Sequence, residues 1–344
     1  MSRRSLTLAI AGLATVVAIA AAVLIPVPYV ILGPGPTLNT LGKDSSGQTL
    51  ITISGHQTYA TSGHLNMVTV SYVGGPGSNL SIFQALRAWT DSSQAVVPES
   101  ELFPAGQSAR QTQAQDTAQM SSSQELATAA AFSALHIAYK TQVSVVSTAA
   151  GYPASAVLKA GDVIESLDGK PVTGQQSLSS MITSHPAGSV LALTVLRAGK
   201  TLALRVASKA SAGTPVIGVQ VQEQYTFPFT VKFTVGDIGG PSAGMMFALG
   251  IIDKLTPLNL TGGKFIAGTG EITASGQVQP IGGIQQKMVG ARQAGATVFL
   301  TPAGNCGDTV GAVPAGLRIV KVSTLSQAMS DLEAIKAGKA VPTC

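Results

Sequence analysis

Gly239-Gly240-Pro241-Ser242-Ala243-Gly244, followed later by Pro280-Ile281-Gly282-Gly283-Ile284-Gln285-Gln286-Lys287, is the part of the chain whose reading decides the fold. The first stretch puts a serine on a glycine-rich turn. An almost wholly apolar run, Ala243 to Ile252, comes next and predicts a buried helix. The second puts Lys287 near the start of another helix, with Ile284, Met288 and Ala291 on the same face. A serine hydroxyl is a weak nucleophile until a base takes its proton. A lysine can be that base if burial lowers its pKa from about 10.4 toward about 7–8. Each residue also has a plainer use: Ser242 as a helix N-cap, Lys287 as a side chain that snorkels to water.

Chain order narrows the choice. Gly240-x-Ser242-x-Gly244 fits the nucleophile elbow of α/β-hydrolases, whose catalytic histidine follows the serine. All four histidines here, His56, His64, His136 and His185, precede Ser242, so that triad is excluded. Gly199-Lys200-Thr201 resembles the tail of a phosphate-binding loop. The glycine required five residues before Gly199 is replaced by Thr194, and no ATPase motif remains. Neither CxxC nor HExxH occurs, which disfavours a zinc site, and no cofactor is expected. Cys306 and Cys344 are the only cysteines. In an oxidising compartment they could pair or stay apart.

The 344 residues leave room for two globular units at roughly 100–200 residues each. Charged residues make up only 11% of the chain, which favours an exported or membrane-linked protein. The net charge is +5, but no basic cluster follows Arg4, which argues against nucleic-acid binding. Arg3 and Arg4 precede an uncharged run from Leu6 to Ile25, the length of about 20 residues that spans a bilayer. A cleaved signal peptide would carry a shorter apolar region of about 7–15 residues. The expectation is therefore an uncleaved anchor over 1–32, with the N-terminus cytoplasmic and the remainder extracytoplasmic. Pro26, Pro28, Pro34 and Pro36 then predict an extended neck over 33–47.

Further along, 48–72 reads as strands, Leu80–Trp89 as a helix, 105–123 as a linker or polar helix, and Glu125–Tyr139 as a helix. Between 142 and 208, Gly161-Asp162-x-Ile164 and Asp168-Gly169, with strands around a helix, resemble a PDZ domain. Such modules bind an extended peptide as an added strand. Leu178, Met181 and Ile182 would line that groove, although each also suits an ordinary core.

Four ordered motifs resemble the Lon proteolytic domain: Pro241-Ser242-Ala243-Gly244, Thr269-Gly270-Glu271-Ile272, Pro280-Ile281-Gly282-Gly283-Ile284 with Lys287, and Pro302 with Asn305. The chain as a whole resembles the bacterial membrane-anchored PDZ–Lon family, which lacks an ATPase module. The resemblance implies an α+β fold with Ser242 as nucleophile, Lys287 as general base and Thr269 supporting the lysine. Pro241, Ala243 and Asp237 are expected, with Thr269, as supporting or oxyanion residues. Family members carry Lys-Asp-Gly before Pro-Ser, whereas Ile238-Gly239-Gly240 stands here, with Asp237 displaced toward the N-terminus. The expected organisation is a Lon-like front part at 48–140, an inserted PDZ unit at 142–208, a Lon core at 215–335 and a tail at 336–344. The implied function is ATP-independent serine endopeptidase activity on peptides and unfolded or membrane-proximal proteins, in a homo-oligomer. The rival is a silent PDZ scaffold. A signal-peptidase-type site is disfavoured, because a methionine typically follows the serine there and Ala243 follows here.

Overall fold

The computed structural model describes every residue except Met1, Ser2, Ile25, Ser45, Asn79 and Ala105, and the backbone alone for 19–24. The chain forms two compact units, Met1–Ile137 with Phe229–Cys344, and Ala138–Pro228.

In chain order the first unit contains α1 (Arg3–Leu24), β1 (Tyr29–Asn39), β2 (Ile51–Ser54), β3 (His64–Gly74), α2 (Ile82–Trp89), β4 (Ala95–Pro98) and α3 (Ala109–Ala134). After the second unit come β5 (Thr230–Phe233), α4 (Gly244–Leu255), β6 (Phe265–Gly268), α5 (Ile284–Gln293), β7 (Val298–Pro302), β8 (Arg318–Val322) and α6 (Leu325–Lys336). Six strands make one mixed sheet in the order β8-β7-β6-β3-β1-β4. β6 runs parallel to both β3 and β7, so a strand from before the second unit pairs with strands from after it. β7 is buried at all five positions, which is why Val298-Phe299-Leu300 reads as an unbroken apolar run. α3 packs on α4, and α5 packs on β1 and β3.

Several expectations change here. β1 takes up 33–39 of the expected neck and 29–32 of the expected anchor, hydrogen-bonded to β3 on one side and β4 on the other. Its prolines are tolerated because the pairing with β3 breaks register between Pro34 and Thr37, where a missing N–H costs no ladder bond. The stretch 105–123, read as a linker or a polar helix, is helical from Ala109 and continuous with the helix expected after it, so the two are one helix, α3. Ser108 and Gln111 cap its start reciprocally, and Ala127 to Phe132 are buried. α3 ends at Ala134, short of the expected Tyr139. A fragment beginning at Leu41 lacks β1 and is expected to lose the first unit's cooperative thermal transition. One beginning at Pro26 should keep it, and scanning calorimetry of the two distinguishes these outcomes.

α1 is helical over 22 residues. Among the described residues no helix is long and apolar enough to cross a membrane. Ile25, the end of the expected anchor run, lies outside them, as do the side chains of 19–24.

The second unit holds a six-stranded antiparallel sheet, with 219–226, 140–148, 163–167, 190–197 and 200–207 in that order, the short strand Lys170–Pro171 paired beside 163–167, and one α-helix, Gln175–Thr183. Val143, Ile164, Leu167, Leu191, Leu193 and Val195 are at its core. The unit extends beyond the expected 142–208, because Val219–Thr226 pairs along its length with Lys140–Thr148. Residues 215–228 therefore do not belong to the Lon-like core to which they were assigned. The polar alternation Val219-Gln220-Val221-Gln222 marks a strand without marking its sheet.

Candidate active site

Ser242 follows a turn braced from below by α3. The Gly240 N–H donates to the Asp116 carbonyl (3.0 Å), and Ser123 Oγ donates to the Pro241 carbonyl (2.8 Å). Gly239 has to be glycine at this close approach, since a Cβ would stand 2.5 Å from Asp116 Cβ. These two α3 anchors were not visible in the sequence, where Ser123 sits in a featureless Ser-Ser-Ser-Gln run. Among the described residues, neither Ser242 N–H nor Ala243 N–H donates to a backbone carbonyl. Unpaired donors at the mouth of a buried helix suit a developing oxyanion.

Lys287 reaches the serine from α5. Gly283, at φ 68°, begins that helix in the left-handed conformation that glycine adopts without strain. The turn before it is clamped by Asn305. The Asn305 side chain accepts from the Ile281 N–H and donates to the Ile281 carbonyl, both at 2.9 Å. Lys287 is 4% exposed, so its amine does not escape to water. Its Nζ stands 2.7 Å from Ser242 Oγ and 3.2 Å from Thr269 Oγ1. Thr269 Oγ1 in turn donates to the Ser242 carbonyl at 2.9 Å, so the lone pairs of the threonine oxygen face the amine. Burial lowers the Lys287 pKa to about 7.

A cleft of about 510 Å³ opens over the pair, lined by Met67 to Val70, Leu32, Tyr72, Phe103, Met120 and the 237–243 turn. Pro241 and Ala243 flank Ser242 at this wall, and Ala243 also caps α4. Asp237 lines the cleft but is exposed, and among the described residues it has no hydrogen-bond or ion-pair partner. Besides Ser242, the side chain that touches the Lys287 amine is Thr269. Cys306 and Cys344 form a disulfide that ties the C-terminus to the segment just after Asn305.

In the second unit, Leu178 and Ile182 line a groove of about 550 Å³ together with 214–221, and both also belong to the core. Met181 does not line it and packs against the core instead.

The sequence profile of the Lon protease (S16) C-terminal proteolytic domain matches residues 231–334, which hold Ser242, Thr269 and Lys287. Residues 231–334 carry a Lon-type (S16) serine-peptidase domain. Lon protease 2 of Herpetosiphon aurantiacus is 46% identical over 69 residues, 20% of this chain and 8% of its own length. Lon protease 1 of Sorangium cellulosum is 39% identical over 94 residues, 26% of this chain and 11% of its own. The chain thus spans about a tenth of these curated Lon proteases. A PDZ profile matches residues 114–207, so the Lon-type unit is accompanied by a PDZ domain. That match starts within α3, which structurally belongs with the Lon-type unit. Among solved structures, the PDZ domain of the SdrC-like protein of Listeria monocytogenes is 30% identical. It covers 23% of this chain and 85% of its own, at a TM-score of 0.22.

With Lys287 as the base, which acts in its neutral form, kcat/KM of the Lon-type unit is expected to rise with pH and level off, with a midpoint near 7. An ordinary lysine would put that midpoint near about 10.4. A pH–rate profile on an unfolded substrate separates the two.

Proposed function

We propose that this chain is a membrane-anchored endopeptidase that cleaves unfolded or membrane-proximal proteins without ATP. One observation carries the reading: a buried lysine amine, held near neutrality, 2.7 Å from a serine hydroxyl on an open cleft. Ser242 Oγ attacks the peptide carbonyl as its proton passes to the neutral Lys287 amine. The N–H groups of Ser242 and Ala243 receive the oxyanion. The C–N bond then breaks, and the Lys287 ammonium returns the proton to the leaving amine. An ester on Ser242 remains. Water attacks it, losing a proton to Lys287; the acyl C–O bond then breaks, the Lys287 ammonium returns that proton to Ser242 Oγ, and the second product leaves as a carboxylic acid. Thr269 keeps the amine directed at Ser242 throughout.

The PDZ unit supplies recruitment in this proposal. Strand Val219–Thr226 lies at the end of its sheet beside helix Gln175–Thr183, and an extended peptide can add to that free edge. The anchor reading is supported by the uncharged run Leu6–Ile25. In α1, Leu6, Leu8, Ile10, Leu13, Val16 and Val17 are all exposed, an arrangement that water penalises and lipid does not. The Cys306–Cys344 disulfide fits an oxidising, extracytoplasmic location. Assembly into a homo-oligomer is part of the same proposal. The chain carries no phosphate-binding loop, so cleavage is expected to need no nucleotide.

Full-length protein in detergent is expected to degrade casein at the same rate with and without ATP. Casein left intact, or cleaved only when ATP is present, would overturn the proposal.

A further inference from the structure

α2 is built inside out. Its inward positions are the small Ala85 and Ala88, while Ile82, Phe83, Leu86 and Trp89 are 42, 61, 51 and 79% exposed. At 100° per residue, these four side chains fill one continuous arc. A helix of a water-soluble surface turns its large apolar residues toward the core. Here they point away from it, and Arg87 borders the arc.

The location of this face says what covers it. The α2 N-cap, Ser81, is bridged to Pro26, and the Val27 N–H donates to the Leu80 carbonyl at 2.8 Å. α2 therefore starts beside the point where the chain leaves α1. If α1 spans a bilayer, as proposed above, the start of α2 lies at the lipid–water boundary. Tryptophan and an adjacent arginine suit that zone, the first with an amphipathic ring and the second with a phosphate-binding fork.

We propose that α2 lies in the lipid interface and seats the catalytic unit on the membrane, with the cleft entrance held close to the lipid. The cleft wall supports the second half of this statement. Leu32 and Tyr72 pair across β1 and β3, and both line the cleft. Six residues separate Pro26 from Leu32, at most about 20 Å of extended chain. The substrates that follow are polypeptide segments emerging from the same bilayer, which meet the cleft without first diffusing through water. This rests on the anchor reading and goes beyond it, because an anchor alone would leave the catalytic unit free to swing.

Trp89 is the only tryptophan in the chain, so intrinsic fluorescence reports on α2 alone. The full-length protein is reconstituted into phosphatidylcholine–phosphatidylglycerol vesicles, and flotation is checked first. The expected result is a blue-shifted Trp89 emission, quenched by lipids brominated on their acyl chains and resistant to aqueous iodide. A chain that floats but shows a water-exposed, iodide-quenched Trp89 refutes the seat and leaves the anchor standing. A Trp89 shielded from iodide yet untouched by brominated lipid assigns the face to a second copy and also refutes it. A chain that does not float overturns the anchor reading and the seat with it. The double variant Phe83→Ser, Leu86→Ser changes only exposed side chains outside the cleft. It is expected to keep its flotation, its Tm and its rate on casein. It should lose most of the brominated-lipid quenching and much of its rate on a vesicle-tethered peptide. Equal loss on casein and tethered peptide would contradict the seat.

Discussion

Replacing Ser242 with Ala is expected to lower kcat on an unfolded protein by at least about 10⁴-fold, with KM little changed. Ala lacks the only atom that can form the acyl bond. The cleft that binds the chain is lined mainly by other residues, Met67 to Val70, Tyr72 and Phe103 among them, and these are untouched. The oxyanion donors are backbone groups and also survive. The fold should survive too, because the Ser242 carbonyl, not its hydroxyl, accepts from Gly270 N–H and Thr269 Oγ1. Steady-state proteolysis and thermal unfolding of the same preparation check both halves. Retained turnover would remove Ser242 from the mechanism, whereas lost turnover with a lowered Tm would assign it a structural role.

The second large effect belongs to Lys287. Lys287→Met keeps the length of the side chain and removes the base, so turnover should fall to the Ser242→Ala level. The same change is expected to stabilise the protein, and the gain should depend on pH. In the folded chain the amine titrates near 7, against 10.5 for an unperturbed lysine, because burial disfavours the ammonium. Between those values the unfolded chain binds a proton that the folded chain does not, so wild-type stability rises with pH across that window. Below about 7 both states are protonated, and the full cost of burying the ammonium remains, on the order of 5 kcal/mol. The Tm advantage of Lys287→Met should therefore be largest near pH 6 and fade toward pH 10. An advantage independent of pH would mean that Lys287 is not held neutral by burial. Such a gain on removing a functional group is the usual signature of a site that trades stability for activity.

Ser242 and Lys287 were legible in the sequence because their chemistry conflicts with their surroundings. A serine at the mouth of an all-apolar helix and a lysine on an apolar face both demand a reason. Thr269 was legible only through its place among ordered motifs, since an isolated threonine on a glycine turn carries no signal of its own. What escaped notice is backbone work. Asp116 and Ser123 support the serine turn through a carbonyl and a hydroxyl on a helix whose Gln- and Ser-rich composition looks like linker. β1 escaped because Pro34 and Pro36 argue against a strand, and only the irregularity at Pro34–Thr37 reconciles them with sheet pairing. Strand 219–226 was assigned to the wrong unit because alternation gives strand and register but no partner. Each miss concerns a long-range pairing that local residue chemistry does not encode.

The rate at which a fluorophosphonate modifies Ser242, followed across pH with the adduct located by peptide mass spectrometry, tests the dyad most directly. It reads nucleophile and base together and needs no knowledge of the natural substrate. The account predicts a single adduct on Ser242, a rate that rises through a midpoint near 7 and then levels, and no adduct in Lys287→Met. An adduct on another residue would contradict it, as would a Ser242 rate indifferent to pH or to the loss of Lys287.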